Sequence, residues 1–177
     1  TGSGGISNAF VSIGFELFKN WGFGISSSYA FGNLNHYHTK ILEDVELYTT
    51  VSSESSVSGL DYNFSTAYQK TFGEKITLYT GIIYQPEANY TSQNNQTINT
   101  INPNGNYGGD SEIIDLSSMG LKETNIKIPK SISFGLGFGE DKKWYIGANY
   151  KKTDAGGYKN QLMSLENVEF NSSQTYS

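Results

Sequence analysis

The chain contains no cysteine, so neither a disulfide nor a thiolate metal site supports its fold. No window approaches the ~18 apolar residues of a membrane helix, and the mean hydropathy is -0.45. Helical membrane spans are thereby excluded. Strand spans are not, because half of each such strand faces a lumen rather than lipid. Charge is also scarce, at 16% of residues with a net charge of -5. An acidic balance argues against a nucleic-acid partner, which calls for a basic face. The opening Thr1-Gly-Ser-Gly-Gly has neither a basic nor an apolar segment. The expectation is a signal already removed, or a chain that starts inside a longer protein.

What the 177 residues do contain is Gly (20), Tyr (13) and Phe (10), a composition that suits pleated sheet better than helix. The organising stretch is 126–150. Ile126, Ile128, Ile132, Phe134, Leu136 and Phe138 occupy even positions, interrupted by Lys130. Pro129, Ser131, Ser133, Gly135, Gly137 and Gly139 occupy the odd ones. A period of two predicts a strand with one apolar and one small face. After Glu140-Asp141-Lys142-Lys143 the alternation resumes from Trp144 to Tyr150, which predicts a long hairpin closed by a short charged turn.

Taken in order, six strands are predicted over about 6–19, 21–32, 57–71, 75–90, 126–139 and 144–151, with a short seventh near 170–177. Trp21, Phe23, Ile25, Tyr29 and Phe31 give the cleanest apolar row, against Gly22, Gly24, Ser26, Ser28, Ala30 and Gly32. Short turns alternate with polar loops over about 33–56, 91–124 and 152–169. Such alternation is the arrangement of outer-membrane barrels, and ~11 alternating residues are about what a tilted strand needs to cross a bilayer. The fold class expected is all-β, an antiparallel up-and-down transmembrane β-barrel. Trp21 and Trp144 each follow a short turn and are expected at one membrane interface, in an aromatic girdle. A soluble sandwich is the competing reading, but its strands are usually shorter, near ~5–6 residues, with charged rather than Gly-Ser faces. A complete eight-stranded barrel of OmpA type would need a further hairpin within 91–124, where no alternation is found.

No enzyme is expected. The sequence has no Gly-x-Ser-x-Gly elbow and no Ser/His/Asp constellation. Gly135-Leu-Gly137-Phe-Gly139 lies inside a strand and lacks the Lys-Ser/Thr of a phosphate loop. His36 and His38 share one face of an extended segment, but two imidazoles fall short of the three or four ligands of a metal site. No cofactor is expected. Asp61, Gln69, Gln85 and Glu87 read by parity as polar lumen lining. The sequons at Asn63, Asn89, Asn95 and Asn171 follow from an Asn/Ser-rich composition.

The run from Ile128-Pro129 through Gly135, Gly137 and the Glu140–Lys143 turn to Trp144 and Tyr150 resembles a motif of the FadL/TodX/OmpP1 group. These are outer-membrane transporters of hydrophobic compounds. Leu78 to Asn94 is similar to that group's strand before a large external loop, and the loop composition resembles Bacteroidetes members. The resemblance implies a larger, fourteen-stranded barrel plugged by an N-terminal hatch, of which this chain is an internal segment. The strip from Gly22 to Gly32 then suits either close approach by a hatch or a locally tight wall.

The function implied is outer-membrane passage of long-chain fatty acids or aromatic hydrocarbons, with membrane lipid and a hydrophobic solute as partners. Ile113, Ile114, Leu116, Met119, Leu121, Leu162, Met163, Leu165 and Val168 are the expected apolar capture residues of the loops. The alternative is a structural barrel in the bacterial outer membrane, a docking platform for surface or secretion proteins, since fold alone does not decide function.

Overall fold

The computed structural model describes residues 1–40, 47–73, 75–102, 107–154 and 172–177. Ten strands form one antiparallel sheet: β1 (Gly2–Phe18), β2 (Trp21–Lys40), β3 (Tyr48–Phe72), β4 (Ile76–Gln85), β5 (Ala88–Ile101), β6 (Tyr107–Ile114), β7 (Glu123–Ile128), β8 (Ser131–Glu140), β9 (Trp144–Thr153) and β10 (Ser173–Tyr176). The strand order is β1-β2-β3-β4-β8-β9-β10, and β5 joins β3, β6 and β7. No helix occurs among the described residues. The sheet is all-β and antiparallel as expected, but open, with β1 and the β9–β10 edge at opposite ends of the order.

Three tight turns carry left-handed residues, Asn20 (φ 68°), Gly73 (φ 61°) and Lys142 (φ 59°). Such φ values reverse a chain within very few residues, and Asn and Gly adopt them at least cost. The Asn20 amide donates to Glu16 Oε1 at 2.7 Å. Lys143 Nζ meets Glu140 Oε1 at 2.7 Å in the turn before Trp144.

The sheet divides along its strand direction. β3 is 25 residues long. It pairs β4 from Phe64 to Phe72 and β5 from Tyr48 to Gly59. Between those two ladders β3 has four residues and the opposing chain from Tyr84 to Tyr90 has five, a one-residue bulge. Pro86 and Glu87 lie outside both strands, and so do Pro129 and Lys130 in the neighbouring run, at the same level. Proline lacks the N–H that a ladder requires, so paired strands break there together.

This break reverses which face the apolar residues occupy. Residues directly opposed in a ladder share a face. Ile132, Phe134, Leu136 and Phe138 lie in register with Tyr84, Ile82, Thr80 and Leu78. Ile126 opposes Tyr90, which opposes Gly59 and through it Ala30, on the other face. The apolar row expected to run from Ile126 to Phe138 is therefore two rows on opposite faces. The segments read as loops 33–56 and 91–124 hold the upper parts of β2 and β3, and β5, β6 and the start of β7. Residues 155–171, in the third expected loop, lie outside the described residues.

Candidate functional site: the apolar band and the polar rim

The front face is the one bearing Trp21, Phe23 and Ile25. On it, rows of apolar side chains run across consecutive strands. One row is Ile13, Ile25, Phe64, Tyr84 and Ile132, and the next is Phe15, Phe23, Thr66, Ile82, Phe134 and Tyr150. Most of these side chains are exposed, with Ile13 at 64%, Phe64 at 45% and Phe134 at 45%, while Phe23, Thr66, Ile132 and Tyr150 are half-buried. Among described apolar residues only Ala30, Val57 and Leu116 are buried. A sheet with no hydrophobic core and a continuous apolar face cannot hold that face in water, because the driving force of folding is removal of such surface. Such a face calls for an apolar environment or a partner surface.

Polar groups inside the band are satisfied by one another. Trp21 Nε1 donates to Thr66 Oγ1 at 2.6 Å, and that hydroxyl donates to the Gly22 carbonyl at 3.1 Å. The Trp21 ring stacks on Phe23 at 6.1 Å and meets Tyr68 edge-on at 5.8 Å. Trp144 meets Phe138 edge-on at 6.0 Å. Both tryptophans sit at the tight-turn end of the sheet, where Phe18 opposes Trp21 and Glu140 opposes Trp144.

The back face is lined by Gly22, Gly24, Ser26 and Ser28 on β2, and by Gly135, Gly137 and Gly139 on β8. Glycines on this face leave room for tyrosines. The Tyr145 ring lies over Gly137 and Gly147, and Tyr90 covers Gly59, so a Cβ at Gly59 or Gly137 would strike the ring. The Tyr90 hydroxyl donates to Asp61 Oδ2, and Asp61 is buried. Burial, the Asp61 hydrogen bond and the carboxylate charge push the Tyr90 pKa up to about 12. Desolvation is the largest of these causes and disfavours the phenolate.

Above the break the sheet changes character. The front-face rows there read Asn33, Ser56, Gln93 and Glu123, then Asn35, Glu54 and Asn95. On the back face Ser92, Asn94 and Thr124 are buried. Asn94 Nδ2 donates to the Leu121 carbonyl at 2.9 Å and to Thr124 Oγ1 at 3.0 Å. Ser92 Oγ donates to Asn94 Oδ1 at 2.8 Å. No buried side-chain N or O among the described residues lacks a hydrogen-bond partner.

The residues singled out from the sequence are scattered. Asp61, Gln69 and Gln85 lie on the back face, and Ser131 Oγ bonds Gln85 at 3.4 Å. Glu87 leaves the ladder and pairs Lys127 Nζ at 2.8 Å. His36 and His38 are exposed, opposite Ser53 and Val51. No three potential ligands gather among the described residues. Ile113 opposes Thr97 on the front face while Ile114 opposes Gln96 on the back, so they do not share a surface. Leu116 is buried, Leu121 half-buried and Met119 exposed. Leu162, Met163, Leu165 and Val168 lie outside the described residues. Sequence reasoning missed Asn94. Its place in an Asn/Gln-rich run without alternation gave no signal of burial.

No curated protein and no solved structure matches the chain. One family model, BamG, matches residues 1–177. The match overturns the FadL/TodX/OmpP1 resemblance, and with it the reading of fatty-acid or hydrocarbon passage. That resemblance rested on Gly-aromatic alternation around a Trp-headed hairpin. Any strand that packs tyrosines over glycines on one face and meets lipid on the other produces such alternation. The chain belongs to the BamG family and is a bacterial outer-membrane protein.

Proposed function

We propose that this sheet is a wall of a transmembrane up-and-down β-barrel that acts, without catalysis, as a docking platform in outer-membrane protein assembly. Association with other outer-membrane proteins goes with the family. The single observation that carries the reading is the family match over the whole chain. The exposed apolar band supports the barrel. So does the edge of β1: among the described residues its backbone groups have a partner strand on one side only. In hydrocarbon each unpaired group costs several kcal/mol, so this reading requires that edge to be paired. In this reading Trp21 and Trp144 form the interfacial girdle.

The docking surface is the part of the sheet that stands clear of the bilayer. β2 has 20 residues and β3 has 25. About 9–11 suffice to cross, so the upper ladders from Asn33 and Ser56 outward project beyond the band. Their front-face side chains are mainly short and polar, Ser, Thr, Asn and Gln, with the carboxylates of Glu54 and Glu123 among them, on a strand-paired backbone. The test is purification of the tagged full-length protein in mild detergent. Stoichiometric recovery of other outer-membrane proteins, weakened by bulky substitutions at Ser56 and Gln93, is expected. Recovery of a lone barrel would overturn the platform reading.

A further inference from the structure

We infer that residues 115–122 form a fixed strap over the back face at the outer rim, closing the mouth of the barrel to ions and small solutes. The inference rests on the barrel proposed above. β6 and β7 pair the same strand, β5, one after the other. Ile114 opposes Gln96 and Glu123 opposes Gln93, three positions apart on β5. The ends of the strap are thus roughly 10 Å apart, while eight residues can span up to about 27 Å. The segment has far more chain than the gap requires, and a free loop of that length would project into solvent.

It folds instead. Asp115 Oδ1 accepts from the Ser117 amide at 2.9 Å, and the Asp115 carbonyl accepts from Ser118 Oγ at 2.9 Å. The Gly120 amide donates to the Ser117 carbonyl and the Leu121 amide to the Leu116 carbonyl. Gly120 has φ 67°, which lets the chain turn back. Leu116 is 6% exposed. Asn94, whose side chain lies on the back face of β5 and is 3% exposed, clamps the returning limb at the Leu121 carbonyl and Thr124 hydroxyl. The Asn94 amide adds a bond to the Lys122 carbonyl at 2.8 Å.

The direction of the fold is set by which face is covered. Ser92 and Thr124 are each 1% exposed, and both lie on the back face, in register with Val57 and Gly32. Lower on that face Ser26 and Ser28 remain half-buried. Asp61, Thr77 and Ser131 are also buried on that face, but it is Ser92, Asn94 and Thr124, bonded to one another, that lie beside the strap. Loosening it costs the buried hydrogen bonds of Asn94, so the strap is a standing closure rather than a passing one.

The test is conductance of the full-length protein in planar bilayers, with heat-modifiable gel mobility as an independent check of barrel closure. Wild type is expected to be silent. Replacing 115–122 by Gly-Ser-Gly should give discrete channel steps while leaving the mobility shift intact. If that variant does not fold, Asn94→Ala, which frees the strap and keeps its length, is judged by the same criterion. A wild-type barrel that already conducts overturns the strap, and so does a folded variant that stays silent. A wild-type chain with no mobility shift overturns the barrel reading itself. Recovery of partner proteins is read separately and bears on docking alone.

Discussion

The lower and upper halves of this sheet use the same backbone ladder and opposite chemistry. Below the Pro86/Pro129 break the front face is aromatic and aliphatic and nothing among the described residues covers it, while the back face is glycine and serine with tyrosines laid across it. Above the break the front face is largely amide, hydroxyl and carboxylate, and the buried positions include Ser92, Asn94, Asn99 and Thr124 beside Val57 and Leu116. The lower half is held by pairing and leaves its apolar face open. The upper half is held by pairing and by a small satisfied polar network. The difference teaches that one backbone ladder can carry an open apolar face below the break and a closed polar network above it.

A charge in the band breaks the comparison most severely. Phe64→Lys places an ammonium in the middle of the front face, and a cost of about 2–4 kcal/mol is expected for a lysine near the bilayer midplane. Gln93→Lys, on the same face above the break, is expected to be near neutral. Denaturant unfolding in lipid vesicles compares the two. Equal effects would mean that both halves meet the same solvent.

Asn94→Ala attacks the upper half in kind. It strips Thr124 Oγ1 and the Leu121 carbonyl of a donor, at a cost of about 1–3 kcal/mol for groups left unsatisfied. Limited proteolysis should show new cleavage within 115–122 and none in the band. Trp21→Phe is milder. It removes the indole donor to Thr66, but that hydroxyl keeps its bond to Gly22, so about 0.5–1.5 kcal/mol is expected from melting of the reconstituted protein.

The smallest effect is alkaline. Tyr90 has a folded pKa of about 12 against an ordinary value of 10.0. A raised folded pKa gives stability that is complete below the unfolded value and lost as pH rises through the folded one. Stability should therefore decline between about pH 10 and pH 12, and Tyr90→Phe should decline less over that window. A spectrophotometric tyrosinate titration of both forms checks it.

Much of the lower half was legible in the sequence. The Trp21–Phe31 row, the tight turns at Asn20 and Glu140–Lys143, and the apolar front face all come from a period of two, because the two faces of these strands differ sharply in chemistry. The upper half was not. Asn33–Lys40 and Thr91–Ile101 are strands with polar residues on both faces, so no alternation marks them. Period-two patterning reports contrast between faces, not extension itself. The face reversal between Ile128 and Ile132 was hidden for another reason. Pro129 and Lys130 leave the ladder there, and even spacing in sequence stops meaning one face in space. Asn94 and the strap were invisible because their burial comes from residues about thirty positions away.

The most direct measurement uses the absence of cysteine. Single spin labels at Ile25→Cys and Ser26→Cys, neighbours on opposite faces of β2, are read for collisions with oxygen and with a water-soluble nickel chelate in vesicles. A wall with its front face in lipid predicts high oxygen and low nickel accessibility at position 25, with low oxygen accessibility at 26. Nickel accessibility at position 25 equal to that of a label at Asn33→Cys would contradict it, and the band would then face water or another protein.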